Sequence, residues 1–500
     1  MTSIPLNEEL EEITIAQLQA GLRAGTLTAG DLVTGYLERI DRWDKKGPAL
    51  NTIVEVSATV LREAHELDRE FGKTRTFRGP LHGVPVIIKD QLETAGLRTT
   101  FGSVRAKDNV PDRDATAVAL LKGAGALILA KSTLPDFATS WFSTSSLSGL
   151  TKNPYALDRD AGGSSSGSAA AVAANMGLAA IGEDTGGSIR LPASFNNVVG
   201  LRPTVGLVST AGASSFRIGT DTVGPIARTV EDVARLLDVL ARVDSRDPLT
   251  ALAEGHRRSR GTSYLDAARL DGGAITGRPV KLALVTSLTP GSGPDGVAIN
   301  DVVEKAVAML LSAAVDVVPI DLPDILDRVR LSNAGSSMDD IDAFIKSRPG
   351  IAADSIGEIY DAGDYHERLT ILRRAVELSR LPSTADEQLS ADRTRRSLRE
   401  YVAAIICDGE FDALAYPDVQ ALPPRHDEIV SGRVDSVEFP TNTVLASALR
   451  FPAISVPAGF TGSNLPVGLE LLGLPFSEGP LLRVAAQIEA ILRGRRKPSL

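Results

Sequence analysis

Length, composition and charge narrow the class of protein before any motif is considered. The chain has 500 residues, 43% of them hydrophobic, and a formal net charge of −10. This hydrophobic fraction can build a large core, whereas the negative charge argues against a nucleic-acid partner, which usually needs a basic face. The one cysteine, Cys407, excludes an intramolecular disulfide framework and suits a reducing compartment. Five scattered histidines offer no metal-ligand spacing, so we expect no metal.

The N-terminal region predicts two helices between residues 8 and 45. Residues 14–23 carry apolar side chains at helical spacing, and Thr28 suits the N-cap of a helix that runs through Leu37 and Ile40. The first residues show no signal peptide, and the longest apolar stretch, 169–182, is too short to span a bilayer. We therefore expect a cytoplasmic protein without a membrane partner.

Strands and helices alternate from residue 51 onward, which is typical of an α/β fold. The pattern predicts strands over 84–88 and 126–130 with a helix over 115–123 between them. Further helices are predicted over 169–176, 230–241, 298–313 and 480–493, and further strands over 281–286, 315–320 and 411–416. A loop is predicted over 137–154 and a surface excursion over 244–278.

Two glycine-rich serine loops flank the helix predicted over 169–176. The first is GGSSSGS at 162–168, and the second is DTGGS at 184–188. Glycines beside a serine let the backbone approach a ligand closely and adopt a positive φ. Two such loops would line a pocket with hydroxyls and N–H groups, which suits nucleophilic attack on a carbonyl.

Lys89 stands at the end of the strand predicted over 84–88 and is a candidate base for a serine. Burial in this position favours the neutral form of a lysine. Lowering its pKa from about 10.4 to about 7 costs about 4.6 kcal/mol. A neutral lysine can deprotonate a serine, as in Ser-Lys variants of the Ser-His-Asp arrangement.

Several segments match one known family in its own order and together span most of the chain. They are GPLHGVPVIIKD at 79–90, KNPYALDRDAGGSSSGSAAAVAAN at 152–175, GEDTGGSIRLPASFNNVVGLRPTVGLVS at 182–209, TDTVGPIARTVEDVA at 220–234, and FPAISVPAGF with LPVGLELLG within 451–473. In these segments the chain resembles the amidase signature family of serine amidohydrolases. The resemblance implies one α/β domain over 1–500, with a large, twisted, mixed central sheet, helices on both faces and no cofactor.

The resemblance also assigns catalytic roles to three residues. The family's lysine falls on Lys89, its bridging serine on a cis peptide falls on Ser164, and its nucleophile falls on Ser188. Lys89 would take a proton from Ser164, Ser164 would take one from Ser188, and Ser188 would attack the carbonyl. The implied oxyanion-hole donors are the backbone N–H groups of Thr185, Gly186, Gly187 and Ser188. The family's contacts to substrate fall near Thr139, Ser140 and Trp141.

Some positions near these motifs need a separate interpretation. Glu183 stands where the family usually has a small residue and Ser166 where it has glycine, so both can change the pocket's shape. We interpret Asp184 and Arg190 as an ion pair that holds the nucleophile loop. For His82 we expect a role in a turn or in supporting the site, rather than base catalysis.

Three regions leave alternatives open. Trp141 and Phe142 put two aromatic side chains where small residues are usual, either as an apolar pocket or as ordinary packing. The helical arm over 1–60 serves dimer contacts in some family members, which allows a homodimer, or packs on its own domain. Residues 321–400 vary in the family and often cover the substrate entrance.

The first serine loop also fits two other motifs. Residues 163–167 satisfy G-x-S-x-G, the nucleophile elbow, which would make Ser165 the nucleophile. That elbow needs a strand just before it, and residues 153–161 are turn-rich and charged, so no strand is expected there. Gly162 and Gly167 have P-loop spacing, but Ser168 replaces the lysine that a P-loop requires.

We therefore expect hydrolysis of a small-molecule carboxamide, with an aryl or alkyl group. Esters are further expected substrates, because the same oxyanion hole serves amides and esters. We hypothesise that an apolar pocket at Trp141 and Phe142 extends the activity to anilides or carbamates. Two alternatives remain: a glutamine-hydrolysing subunit of a tRNA-dependent amidotransferase, and a non-catalytic binding protein with this fold.

Overall fold

A computed structural model describes residues 10–259, 263–270, 279–332, 338–381 and 384–500. The strands are β1 (Ile53–Val56), β2 (Pro85–Lys89), β3 (Leu127–Ser132), β4 (Lys152–Asn153), β5 (Ala156–Asp160), β6 (Ala179–Asp184), β7 (Val199–Arg202), β8 (Thr222–Ala227), β9 (Lys281–Val285), β10 (Asp316–Ile320), β11 (Ala413–Pro417), β12 (Ala453–Phe460) and β13 (Pro466–Leu472). The helices are α1 (Ile15–Ala24), α2 (Ala29–Arg39), α3 (Val60–Thr74), α4 (Thr116–Gly123), α5 (Ser166–Ala173), α6 (Arg190–Phe195), α7 (Val230–Leu240), α8 (Glu254–Ser259), α9 (Tyr264–Ala268), α10 (Pro294–Ser312), α11 (Ile325–Ser332), α12 (Asp339–Lys346), α13 (Ile356–Ala362), α14 (Thr370–Ser379), α15 (Ala385–Asp408), α16 (His426–Ser431), α17 (Val444–Leu449) and α18 (Glu478–Leu492).

Within the described ranges, eleven strands form one mixed sheet. Their order is β1-β3-β2-β6-β8-β7-β12-β13-β11-β9-β10. Strands β3, β2 and β6 run parallel to one another, as do β11, β9 and β10. The strands between these groups pair antiparallel. The α/β class and the mixed central sheet flanked by helices are therefore confirmed.

The part of the sheet that carries the first motifs is buried throughout. Every residue of β2, β3 and β6 is buried, as expected for parallel strands covered on both faces. Every residue of α5 is buried as well. A Cβ on Gly167 would lie 2.1 Å from the Thr52 carbonyl oxygen, so this helix starts in direct contact with a neighbouring backbone. The small residues of the first serine loop are required by this packing.

The N-terminal arm packs on its own chain. The predicted N-cap is present, since the Thr28 side chain accepts a hydrogen bond from the Asp31 N–H. Thr14, which was not predicted as a cap, accepts from the Gln17 N–H in the same way. The buried faces of α1 and α2 join the main core. The Ile15 N–H also donates to Asp232 at 3.0 Å. The N-terminal arm was interpreted either as a dimer contact or as packing on its own domain. The contacts of α1 and α2 agree with packing on the same domain.

Two regions differ from the sequence expectation. Residues 153–161 do contain a strand, β5, although its charged sequence hid it, and its partner is the two-residue strand β4. The excursion predicted over 244–278 lies partly outside the described residues, at 260–262 and 271–278. Its described helix α9 is not a surface feature, because Tyr264 and Ala268 are buried and the Tyr264 N–H donates to Asp238 at 2.8 Å.

The described residues between 321 and 400 lie mainly in helices α11–α15. Apolar residues of α12, α13 and α14 pack around Phe101 and Phe137, which belong to the loops beside the first serine motif. Over the described ranges, no helix is both long and apolar enough to cross a membrane.

Candidate active site

Neighbouring parallel strands bring Lys89 next to the end of β6. Lys89 is the last residue of β2, and β2 pairs with β6 in register up to Ile88 opposite Ile181. The lysine side chain is fully buried. Its Nζ donates to Ser164 Oγ at 2.8 Å and to the Glu183 carbonyl oxygen at 3.2 Å. The structure thus joins the two residues that the resemblance assigns to the base and the bridging serine.

The first serine loop holds Ser164 immediately before α5. The peptide bond between Gly163 and Ser164 is cis, as the resemblance implies. A Cβ on Gly163 would lie 2.8 Å from the carbonyl oxygens of Ser140 and Phe142, so a side chain does not fit there. The Ser165 N–H donates to the Ser188 carbonyl oxygen at 3.0 Å, and this bond ties the two serine loops together.

Ser188 follows β6 and lines a cavity of about 140 Å³. The sequence-predicted residues Thr139, Ser140 and Trp141 line the same cavity. Ser164 is fully buried and is not part of the cavity lining. The nucleophile candidate therefore faces the space that a substrate would occupy, while the lysine and bridging serine are shielded from water.

The four oxyanion-hole candidates do not share one environment. Thr185, Gly186 and Ser188 line the cavity, whereas Gly187 does not. The Gly187 N–H donates to Asp184 Oδ1 at 2.8 Å, and a Cβ on this glycine would lie 1.8 Å from Thr443 Oγ1. The Gly187 N–H is therefore engaged by Asp184 in this structure, and the assignment of the four oxyanion-hole donors stays a prediction.

Asp184 anchors the nucleophile loop through a buried ion network. Its carboxylate lies 3.1 Å from Arg190 Nη2 and 2.7 Å from Arg202 Nη1, and it accepts the Ile189 N–H at 3.1 Å. Burial alone would raise the pKa of Asp184, but the two guanidinium groups outweigh it and hold the pKa well below its usual range. Arg190 also pairs with Glu470. The predicted pairing of Asp184 with Arg190 is present, and Arg202 and Glu470 extend it.

Lys89 and Glu183 form a second buried pair of titratable groups. Lys89 Nζ lies 3.7 Å from Glu183 Oε2, and both side chains are excluded from solvent. Burial lowers the pKa of Lys89 to about 8, and the Glu183 charge opposes this shift. Burial and the nearby Asp221 raise the pKa of Glu183. Glu183 Oε1 also accepts from Thr185 Oγ1 at 3.2 Å, so this carboxyl connects the base to the loop that lines the cavity.

Trp141 and Phe142 have different environments. The Trp141 ring lines the cavity and stands over Gly186, where a Cβ would lie 2.5 Å from Trp141 Cη2. Phe142 is buried and packs edge-on against Phe439 at 5.2 Å between ring centroids. The pocket interpretation therefore describes Trp141, and the packing interpretation describes Phe142.

Several cavity residues were not predicted from the sequence. Phe216 and Arg217 precede the motif at 220–234, and Thr220 is its first residue. Val444, Ser447 and Ala448 lie on α17. Ile371 on α14 comes from the variable region. The position of Phe216, Arg217 and Thr220 at or just before the motif at 220–234 could have indicated that they lie near the site. The others required knowledge of which elements pack together.

Two minor candidates fall outside the cavity. His82 Nδ1 accepts the Arg78 N–H at 3.1 Å, and its ring stacks on Phe77 at 4.7 Å, which fits the predicted turn role. Ser165 Oγ donates to the Glu183 carbonyl oxygen at 3.3 Å and is fully buried. The strand before this serine, β5, pairs with β4 outside the main sheet, so the loop is not a nucleophile elbow.

Comparisons with known proteins agree with this architecture. The model of the family described as Amidase matches residues 31–482. A subunit of glutamyl-tRNA(Gln) amidotransferase from Symbiobacterium thermophilum is 34% identical over 486 residues, which is 95% of each chain. The peptide amidase from Stenotrophomonas maltophilia superposes with a TM-score of 0.84 at 32% identity, covering 98% of this chain and 99% of that one. The corresponding amidotransferase subunit from Thermotoga maritima gives a TM-score of 0.74 at 27% identity, covering 100% and 98%.

The fold and these comparisons define an amidohydrolase, an enzyme that acts on C–N bonds. The chain belongs to the amidase family. Two of the similar proteins are named as subunits of a tRNA-dependent enzyme, and this does not support the expectation that nucleic acid has no part.

Proposed function

We propose that the protein hydrolyses a carboxamide through an acyl-enzyme on Ser188. The observation that carries this proposal is the buried contact of 2.8 Å between Lys89 Nζ and Ser164 Oγ, behind a cavity that Ser188 lines. Neutral Lys89 accepts a proton from Ser164, which accepts one from Ser188 as that serine attacks the carbonyl carbon. The relay returns the proton to the leaving amine, and water then cleaves the acyl-enzyme.

The cavity-lining loop supplies the electrostatic part of the mechanism. The N–H groups of Thr185, Gly186 and Ser188 are the proposed donors to the oxyanion, and Asp184 holds the loop from behind. A carboxylate in this position fixes the loop while Arg190 and Arg202 neutralise its charge. The backbone N–H groups can then stabilise the oxyanion without opposition from the negative charge of Asp184.

The substrate proposed is a small amide with an aryl or short alkyl group. A cavity of about 140 Å³ is small for a ligand site, and Trp141 provides a flat apolar wall. Thr139 and Ser140 contribute polar contacts at the same wall. Esters and carbamates of similar size are proposed as additional substrates. Residues 321–400, through Ile371, are proposed to border the entrance.

Hydrolysis rates on a small panel test this function. The panel contains glutamine, a short primary amide, a nitroanilide and an aryl carbamate, each measured with the native protein and with Ser188→Ala. Cleavage of the aryl substrates that disappears in the variant supports the proposal. If Ser188→Ala cleaves these substrates as fast as the native protein, the assignment of Ser188 as the nucleophile is wrong.

A second candidate is a glutamine-hydrolysing subunit of a tRNA-dependent amidotransferase. It is favoured by the names of the similar proteins from Symbiobacterium thermophilum and Thermotoga maritima. Cleavage of glutamine alone, together with copurifying partner chains, would select this candidate. Under the first proposal the enzyme acts alone or as a homodimer. The single cysteine supports the cytoplasm as its proposed compartment.

A further inference from the structure

A second cleft of about 610 Å³ lies between helix α15 and the turn from α17 to β12. Four arginines line it, Arg395, Arg396 and Arg399 from the helix and Arg450 from the turn. We infer that this cleft binds a small molecule that carries a phosphate group. The inference concerns a site separate from the proposed catalytic cavity, and its test does not depend on catalysis.

The positive charge of this arginine cleft is not neutralised by the residues around it. Arg395 pairs with Asp392 at 2.6 Å and donates to the Ser332 carbonyl oxygen. Among the described residues, Arg399 and Arg450 form no ion pair. Two acidic side chains, Asp392 and Glu400, line the cleft against four guanidinium groups. Residues 333–337 and 382–383, which lie near α11 and α15 in the sequence but outside the described ranges, include no aspartate or glutamate that could neutralise these arginines.

Among the four arginines of the cleft, Arg450 has the environment that a bound anion would stabilise most. Its side chain is partly withdrawn from solvent, and its buried Nε has no hydrogen-bond partner among the described residues. Burial, together with the charges of Arg395 and Arg399, lowers the pKa of Arg450. Burial and Arg395 act in the same direction on the pKa of Arg399. A bound anion would relieve this repulsion, and the chain's net charge of −10 means that general basicity does not explain the cluster.

The chemistry of the cleft favours phosphate with an organic group attached. Guanidinium groups present paired N–H donors that match the oxygens of a phosphate bidentately. The cleft volume is in the range of small-molecule sites. Phe451 lines the cleft, and its ring lies 5.8 Å from the Arg399 guanidinium carbon. Phe451 itself is buried, but Ala403 and Pro475 are partly exposed in the cleft and offer an apolar surface to the organic part of a ligand.

The arginine cleft also lies next to the loop that borders the catalytic cavity. Arg450 Nη2 is 3.7 Å from the position of a Cβ on Gly219. The same loop carries Phe216, Arg217 and Thr220, which line the cavity of the proposed active site. An anion bound to Arg450 would therefore contact the outer side of this loop, and we expect its binding to change KM for the amide substrate.

Calorimetric titration of the full chain with inorganic phosphate, pyrophosphate and phenyl phosphate tests the inference. We expect saturable binding, with a Kd that rises about tenfold or more in Arg399→Gln and in Arg450→Gln. Arg393→Gln is the matched control, because Arg393 is exposed on the same helix and does not line the cleft. Its Kd should equal that of the native chain.

Tighter binding of phenyl phosphate than of inorganic phosphate would identify a phosphate ester as the ligand, and equal binding would identify free phosphate. Both results support the site. An unchanged Kd in Arg399→Gln, equal weakening in Arg393→Gln, or the same heat from chloride at matched ionic strength would overturn it. Circular dichroism checks folding, and Arg399→Gln decides the test if Arg450→Gln does not fold.

Discussion

Lys89 is the residue on which the proposed proton relay depends. Its Nζ contacts Ser164 Oγ inside the fold, whereas His82 contacts Arg78 and Phe77 in a turn. We expect Lys89→Ala to lower kcat/KM by about 10²–10⁴-fold, the contribution typical of a positioned base. His82→Ala should retain measurable activity. Equal losses in the two variants, measured on one amide, would contradict the assignment.

Glu183 should set the acid limb of the pH profile. Burial lowers the pKa of Lys89 to about 8, and the charge of Glu183 acts against that lowering. Glu183→Gln removes the opposing charge, so the pKa of Lys89 should fall further and the neutral base should persist at lower pH. We therefore expect the acid limb of kcat/KM against pH to move to lower pH.

Glu489 provides the matched control for this pH shift. It is a second carboxyl whose burial raises its pKa to about 8, and it accepts the Val230 N–H at 3.0 Å, far from Lys89 in the chain. Glu489→Gln should leave the acid limb unchanged. If Glu183→Gln also leaves the limb in place, the two groups are not coupled as described.

For single residues, the sequence predicted which side chains belong to the site but not which of them contact one another. Lys89, Ser164 and Ser188 were assigned by resemblance, and Glu183 was noticed as an unusual residue for its position. Its contact with Lys89 could not be predicted, because that contact depends on β2 lying beside β6 in the sheet. The engagement of the Gly187 N–H by Asp184 likewise depends on the conformation of one loop.

At the scale of elements, the nucleophile loop is held by contact with the segment before α17. Thr443 Oγ1 donates to the Gly186 carbonyl oxygen at 3.0 Å, and a Cβ on Gly187, which has φ +131°, would lie 1.8 Å from the same Thr443 oxygen. Gly187→Ala must therefore displace the loop. We expect about a 10²-fold or larger loss of kcat, the scale on which a lost oxyanion donor acts.

Gly291→Ala is the control for this substitution, because a Cβ at Gly291 meets no atom within 4 Å. Its kcat should match that of the native chain. Native kcat in Gly187→Ala would mean that the conformation of this loop does not limit catalysis.

Helices and strands were predicted correctly where the hydrophobic pattern of their sequence was strong. Apolar β-branched runs located β2 and β3 within two residues at each end, since buried parallel strands need such sequences. The charged sequence of β5 carried no such signal. The short helix α9 was not predicted because its burial depends on tertiary contacts, with α7 and with α18, which is more than 200 residues away in the chain.

At the scale of the whole molecule, Arg495 links the two ends of the chain to the core. Its guanidinium donates to Glu12 at 2.7 and 2.9 Å and to the Ala173 carbonyl oxygen at the end of α5 at 2.9 Å. One hydrogen bond of a charged group contributes about 1.5–3 kcal/mol, and bonds from one guanidinium group are not additive. We therefore expect Arg495→Ala to lower the free energy of unfolding by about 2–4 kcal/mol.

Thermal unfolding at a fixed scan rate measures this effect. Arg483→Ala is the control, because Arg483 is an exposed residue of α18. Its midpoint should stay near that of the native chain. Equal midpoints for Arg495→Ala and the native chain would show that the two ends do not stabilise the fold through this residue.

The overall architecture was predictable because the recognised segments extend over most of the chain. The arrangement of α11–α15 was not, since their sequence matches no motif and the contacts of α12–α14 with Phe101 and Phe137 are long-range. For the same reason the sequence did not identify the arginine cleft, whose members lie more than 40 residues apart on α15 and beside α17.

Covalent labelling of Ser188 tests the central claim most directly. The native chain is treated with phenylmethylsulfonyl fluoride, residual amidase activity is measured, and the modified peptide is located by mass spectrometry. We expect one adduct per chain, on the peptide that contains Ser188, formed in parallel with loss of activity and absent from Ser188→Ala. Inactivation with the adduct on Ser165 or on another residue would contradict it.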